Sequence, residues 1–574
     1  MEVVEVDDAV GRYPVGWCEL QLRDQASFGA GQCGRLISSE APVWHRAGML
    51  HDDLTFHDEV EAYCGRLSSP AGGVAQLHVS TRHPHVDVVV ERWGAEREVV
   101  WSGDSIATTY MPPPDDADSV GCRWPVTASI PIGDDWRSGF HLVTVTAPDA
   151  TPGRAVAHAC FVVTADRSAI DSADRARALL VLATNTWNAY NPWGGASLYT
   201  GGQQVSFRRP FARGMLWRSE VDRDDRKSRP TRWGEEPDVN GDRFQEYRST
   251  HAYPAAIGSS GWFSHERRFV EWAESAGYRF DTCISTDLDD DPTIADGYDL
   301  IIDVGHDEYW SAGQRATIEA HVRRGGHLAS FSGNTCFWQV RIADGPGSDG
   351  EPGDVMICHK YTAHDTDPVV ADGEPERMTG MWADPVVGLP EWSFLGAGSR
   401  WGLYSRFGQA TPRGSGAFTV HRHDHWMFAG TDLRYGDLLG ATHGVVGYET
   451  VGRPIDLDEY QLPVARPIDG ADGTAEIVAY TPASNIGVGE YPASISALSD
   501  QGDIEFIASR MYGEVTDDTL ARCRYGNSVM LVNRPYGPDG GEVVVVGTTD
   551  WVFGLAADPA VAQVTANILD HSLA

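Results

Sequence analysis

The chain has 574 residues, more than one hydrophobic core usually serves, so two or more domains are expected. Its 82 acidic and 45 basic residues leave a net charge of −37, a field that repels nucleic acid and anionic lipid. No apolar run approaches the ~20 residues that span a bilayer, and the acidic start MEVVEVDDAVGR has no secretory character, which favours a cytoplasmic protein.

Residues 1–165 read as all-β. The segments VAQLHVS (74–80), VDVVVERW (86–93), HLVTVTA (141–147) and AHACFVVTA (157–165) are rich in β-branched residues and partly alternate. Gly, Pro and Asp separate them, as in an immunoglobulin-like sandwich. The polar stretch 166–176 reads as a linker, and a second domain, 177–574, follows. It opens with a short buried strand, ALLVLA (178–183). A helix over 262–277, with Ser264 as its cap, and a strand over 278–284 come next. Then come an acidic loop (TDLDDD), a strand at 300–304, a helix at 312–324 and a strand at 328–331. Such alternation predicts a flavodoxin-like parallel sheet. Strand signals return at 416–421, 529–532 and 542–547, and a helix over 559–572 closes the chain. Long loops at 187–260 and 342–415, rich in Trp, Gly and Asn, read as functional lids.

In an open parallel sheet, ligands bind beyond the carboxyl ends of the strands. Two polar clusters occupy such ends. The first is GHDEYW, where His306, Glu308 and Tyr309 offer a base, a carboxylate and a phenol. These residues could instead cap the following helix. The second is SGNTCFW, with Asn334 at the tip of an elbow-like turn and Cys336 two residues on. The pattern GxSxG is absent, so a covalent role for Cys336 is the weaker option. A third cluster, TNTWNAYNPWGGASLY (184–199), supplies Asn185, Trp187, Asn188 and Tyr190 as substrate-binding candidates, or else a loop that packs its tryptophans. It matches neither Walker A nor GxGxxG.

Two further patterns are weaker. The histidines of HRHDH (421–425) alternate, and neighbours on one strand face stand ~7 Å apart, so a solvated surface is the simpler reading. Glu449, in a Gly-Tyr-Glu turn, could complete a metal site. Lys227 and Lys360 are the only lysines, and neither has a context that supports Schiff-base chemistry. Nine dispersed cysteines without C-x-x-C spacing read as buried free thiols.

The runs TNTWNAYNPWGGASLY, GHDEYWS, GGHLASFSGNTCFW, GYE and GGEVVVVGTTDWVFGL…ANILDH, in this order, resemble the large (beta) subunit of N,N-dimethylformamidase and its bacterial relatives, over about residues 177–574. The resemblance implies a glutamine-amidotransferase-like α/β domain and hydrolysis of a small amide by iron held on two tyrosines and one glutamate. It implies Tyr309 as one tyrosine ligand, and Glu449 or Glu376 as the carboxylate. The family's G-N-x-x-Y-W element has Phe337 in place of its tyrosine, with Tyr361 as a substitute; Phe337 would then line the substrate site. Within this reading His306 shuttles the proton, Asn334 stabilises the oxyanion and Glu308 assists. Relatives imply a homo-oligomer. The rival reading is a metal-free protein, derived from that enzyme fold, that binds a carbohydrate or a protein partner.

Overall fold

A computed structural model describes residues 59–148, 155–165, 176–218, 247–248, 250–345, 354–403, 415–471, 473–485 and 503–574. All of them lie in one compact unit, Pro42–Ala574. The expected first domain begins at residue 1, so its first 58 residues lie outside the described part.

Eight strands form the N-terminal part: β1 (Val60–Cys64), β2 (Ser68–Pro70), β3 (Val74–Thr81), β4 (His85–Trp93), β5 (Arg97–Ala107), β6 (Ala128–Pro131), β7 (Gly139–Thr146) and β8 (Val156–Thr164). They make a three-stranded sheet, β1-β3-β6, and a five-stranded sheet, β2-β8-β7-β4-β5. Alternation explains the packing. Val86, Val88 and Val90 of β4 point inward with Val143 and Val145 of β7, and meet Leu77 and Val79 of β3 in one core. On the opposite face, Trp93 and Phe140 join the core of the second part, where Phe140 stacks on Trp262 at 4.0 Å.

The second part holds a nine-stranded mixed sheet in the order β11-β9-β12-β14-β23-β22-β21-β17-β18. The strands are β9 (Ala178–Leu182), β11 (Phe280–Ile284), β12 (Leu300–His306), β14 (His327–Gly333), β17 (Phe418–Val420), β18 (Leu438–Leu439), β21 (Glu476–Ser484), β22 (Tyr525–Asn533) and β23 (Val543–Val546). The first five in spatial order run parallel and the other four are antiparallel to their neighbours. The parallel strands β9, β12 and β23 are largely apolar runs buried along their whole length, as such sheets require. Four short strands form a second sheet, β10-β16-β15-β13: β10 (Gln204–Ser206), β13 (Tyr309–Ser311), β15 (Trp338–Ala343) and β16 (Val355–Ile357). A two-stranded hairpin, β19 (Ile455–Leu457) and β20 (Pro463–Ala465), completes the strands.

Five helices matter here: α1 (Thr184–Tyr190), α2 (Glu266–Ser275), α3 (Ala312–Arg323), α4 (Asp503–Tyr512) and α5 (Pro559–Ser572). Three differ from expectation or explain it. The stretch after β9, read as a loop, begins as α1. Helix α2 starts four residues later than expected, because Ser264 Oγ donates to the Ser260 carbonyl instead of capping, and His265 takes the cap position. Helix α3 starts where Ser311 Oγ accepts the Gln314 N–H. The TDLDDD segment is largely a helical turn, Ser285–Asp290, rather than a loop.

Candidate functional site

The site forms where β12 and β14 end side by side. Their parallel register pairs Gly305 with Ser332 and His306 with Gly333, so β12 runs one residue past Gly305. Gly305 has φ +79°, and a Cβ there would stand 2.3 Å from the Cβ of His265. At Gly333 a Cβ would meet the Glu449 carbonyl oxygen at 2.2 Å and the Thr549 nitrogen at 2.5 Å. Only a residue without a side chain lets the 447–449 turn close on the end of β14, and this closure delivers Glu449.

Three ligand-type groups meet there. His306, Glu308 and Glu449 place one donor atom each within 4.8 Å of one another, all buried. His306 Nε2 is 2.9 Å from Glu449 Oε2 and 3.4 Å from Glu308 Oε2. The Ser259 carbonyl lies 2.9 Å from His306 Nδ1, so Nδ1 carries the proton and Nε2 is the working nitrogen. Burial opposes the imidazolium, but the Glu449 and Glu308 charges outweigh it and carry His306 up to about 9. Asn334 donates from Nδ2 to Glu449 Oε2 at 2.8 Å.

Two phenols complete the cluster. Tyr190 Oη donates to Glu308 Oε2 at 3.1 Å, Tyr199 Oη reaches the same oxygen at 2.8 Å, and the two hydroxyls are 2.7 Å apart. Tyr190 ends α1; Tyr199 follows the Asn191 turn, in which Asn191 Oδ1 accepts the Trp193 and Ala212 N–H groups. Burial and the Glu308 charge push both phenols well above their ordinary range, so without a cation they stay protonated. Burial also raises Glu308.

Lys360 lies beneath these groups. Its Nζ donates to Tyr309 Oη at 2.9 Å and sits 3.3 Å from the centre of the Tyr199 ring. Trp338 donates its indole N–H to Glu308 Oε1 at 2.8 Å. Asn334, Cys336, Lys360 and Tyr448 are four of the eight non-glycine residues with positive φ among the described residues. Such strain costs on the order of 1–3 kcal/mol per residue and gathers at functional sites.

Of the residues singled out from sequence, His306, Glu308, Asn334, Tyr190 and Glu449 come together. Tyr309 is adjacent, with its hydroxyl on Lys360. Phe337 is buried edge-on against Trp338, at 4.7 Å. Asn185, Trp187 and Asn188 turn elsewhere: they bond Gln314 Oε1, Glu266 Oε1 and the Val205 carbonyl. Glu376 is exposed and contributes only its carbonyl, to Gln339. Cys336 is 2 % exposed, and burial raises its thiol well above the usual range, which suits a packed thiol rather than a nucleophile. All seven described cysteines are buried and free. The HRHDH segment follows β17 as a turn: His421 stacks on Tyr480 and His425 accepts the Met427 N–H. Tyr199, Trp338 and Lys360 were missed. For Lys360 the available signal was rarity, since it is one of two lysines in an arginine-rich chain.

Residues 87–565 match a family described as N,N-dimethylformamidase beta subunit-like, C-terminal. The chain belongs to this family. The match starts inside β4, well before the expected residue 177, in keeping with the core that the sandwich shares with the second part. No curated protein matches the chain. No helix among the described residues is long and apolar enough to cross a membrane.

The donor set suits the iron that the family resemblance implies. Glu308 Oε2 and the two phenol oxygens lie 2.7–3.1 Å apart, the spacing of ligand atoms around one ion. Phenol and carboxylate oxygens are hard donors, and a trivalent cation would supply the charge that deprotonates two phenols held neutral by burial.

Proposed function

We propose that this dimethylformamidase-like protein hydrolyses the C–N bond of a small, non-peptide amide with a mononuclear iron held by Tyr190, Tyr199 and Glu308. The observation that carries this reading is the meeting of two phenols and one carboxylate oxygen beside a His306–Glu449 pair. A bound ferric ion would polarise the amide carbonyl and acidify the attacking water.

The chain's own residues do the rest. Without a cation the Glu449 and Glu308 charges keep His306 an imidazolium. With part of that charge cancelled by a cation on Glu308, His306 Nε2 is free to take the proton from the water that attacks the carbonyl carbon, and Glu449 stabilises the imidazolium so formed. Asn334 has two N–H donors; one is spent on Glu449 and the other is available to the oxygen that gains charge. His306 then returns its proton to the departing nitrogen as the C–N bond breaks, leaving an acid and an amine. Lys360 contributes a buried positive charge next to Glu308 and the phenols, and Tyr309 holds it in place.

The test is metal content of the purified protein, followed by hydrolysis of simple formamides and acetamides. About one iron per chain and amide turnover lost on chelation support the proposal. A metal-free protein, or one whose amide turnover is indifferent to chelators, overturns it.

A further inference from the structure

The two oxygens of Glu308 have different surroundings. Oε2 faces the metal side: it takes the Tyr199 and Tyr190 hydroxyls and lies 3.4 Å from His306 Nε2. Oε1 accepts the Trp338 indole N–H at 2.8 Å, with the Tyr199 hydroxyl at 3.1 Å. Trp338 cannot easily move. Its backbone N–H donates to the Glu308 carbonyl at 2.9 Å, and the parallel register of β13 and β15 sets it opposite Tyr309. Its ring is 2 % exposed, packed by Phe337, by Tyr361 at 5.3 Å and by Phe506 of α4 at 5.7 Å. The Lys360 ammonium lies 5.0 Å from its centre.

A carboxylate free to swing can bind an ion with both oxygens and fill two coordination positions. A donor locked onto one oxygen leaves only the other. We propose that Trp338 is a positioning residue that reserves Glu308 Oε1 for its own N–H, so that Glu308 holds iron through Oε2 alone and a coordination position stays open for substrate. This inference rests on the metal reading above.

The test compares the full-length protein, stripped of metal, with W338F and W382F. Trp338→Phe removes the N–H and keeps an aromatic ring. Trp382 is an equally buried indole, 1 % exposed, whose Nε1 has no hydrogen-bond partner among the described residues. W382F therefore controls for lost indole packing. Each protein is titrated with ferric citrate, and binding is read from the phenolate-to-iron absorbance band and from iron per chain after desalting. Support from the partner of a metal ligand is worth roughly ten- to a hundredfold in affinity. W338F loses that support and frees Oε1 to reach the ion, so a displaced absorbance band and an affinity altered by up to that factor are expected, while W382F matches wild type. If W338F folds poorly, β-(3-benzothienyl)alanine at position 338 replaces only the N–H by sulfur and takes its place.

W338F binding iron as tightly as wild type, with the same band, overturns the role of Trp338 and leaves the metal reading standing. Equal weakening in W382F overturns it as well, since packing would then be the cause. A wild-type protein that takes up no ferric ion overturns both.

Discussion

The Tyr199 hydroxyl lies 2.7 Å from that of Tyr190, and their rings stack with centres 4.2 Å apart. Glu308 receives both hydroxyls on one oxygen. Burial keeps both phenols protonated, so a cation that takes their oxygens as ligands would have to be charged enough to displace those protons. Tyr190→Phe and Tyr199→Phe are each expected to lose iron, and with it the absorbance band. Activity should fall by at least the ~10–100-fold that losing a supporting partner costs. Tyr309→Phe is the discriminating variant. Its hydroxyl accepts the Lys360 ammonium, so this substitution is expected to keep the iron and lower the turnover rate. Loss of iron in Tyr309→Phe, measured by metal analysis, would instead make Tyr309 a ligand.

His306 separates metal binding from proton transfer. Its Nδ1 is committed to the Ser259 carbonyl and its Nε2 faces Glu449. His306→Gln is expected to retain iron and to lower kcat by about 10²–10⁴-fold, the usual span for a general acid–base. Full activity with iron retained would remove His306 from the proton path.

Gly333 shows how backbone geometry makes the site. Gly333→Ala would place a methyl 2.2 Å from the Glu449 carbonyl oxygen, where only backbone can give way. Overpacking of this kind costs about 1–3 kcal/mol, and here it pushes Glu449 away from His306. The variant should melt earlier and lose turnover more than it loses iron. Thermal unfolding and single-turnover assays check the two effects separately.

The parallel strands were legible because most are apolar runs that end in polar residues, and His306, Glu308 and Asn334 stand together at the polar ends of β12 and β14. What sequence could not give was pairing over distance. Glu449 arrives from a turn more than a hundred residues later, admitted by the absence of a side chain at Gly333. Lys360 and Tyr199 come from loops whose paths no local periodicity encodes. The target of the Trp338 N–H depends on the β13–β15 register, and those strands are three and six residues long. Cys336, two residues past the elbow-like tip at Asn334, was the weaker covalent option; it adopts φ +57° and packs in a hydrophobic core. The sandwich strands followed their alternation. Their outer face did not: Trp93 and Phe140 look like ordinary strand residues until α2 and Trp262 cover them.

Asp367 and Glu266 respond to pH in opposite directions. Asp367 is opposed by burial but accepts two bonds from Arg341 at 2.8 Å and two from Thr379, and these hold it down at about 2. Its folded value lies below its ordinary 3.8, so its contribution is present above pH ~4 and is lost as pH falls toward 2. Asp367→Asn should therefore be less stable than wild type at pH 7, with the gap closing between about pH 4 and pH 2. Urea unfolding at several pH values measures it; a constant gap would remove the ionic contribution.

Glu266 has the reverse sign. It is buried at the start of α2, accepts the Trp187 indole N–H at 2.8 Å, and burial lifts it from 4.5 to about 7. A folded value above the unfolded one means that the protonated form is the favoured guest. Its contribution is full below pH 4.5 and is lost as pH rises through about 7. Glu266→Gln keeps an oxygen for the Trp187 N–H and can never ionise. The variant is expected to be more stable than wild type at pH 8 and to lose that advantage by pH 5. Asp307, which burial and the Asp303 and Glu266 charges raise well above its ordinary range, should then titrate lower. Denaturant melts of the two proteins across pH 5–8 test this; parallel stability curves would mean that Glu266 titrates normally and that Trp187 does not depend on its protonation state.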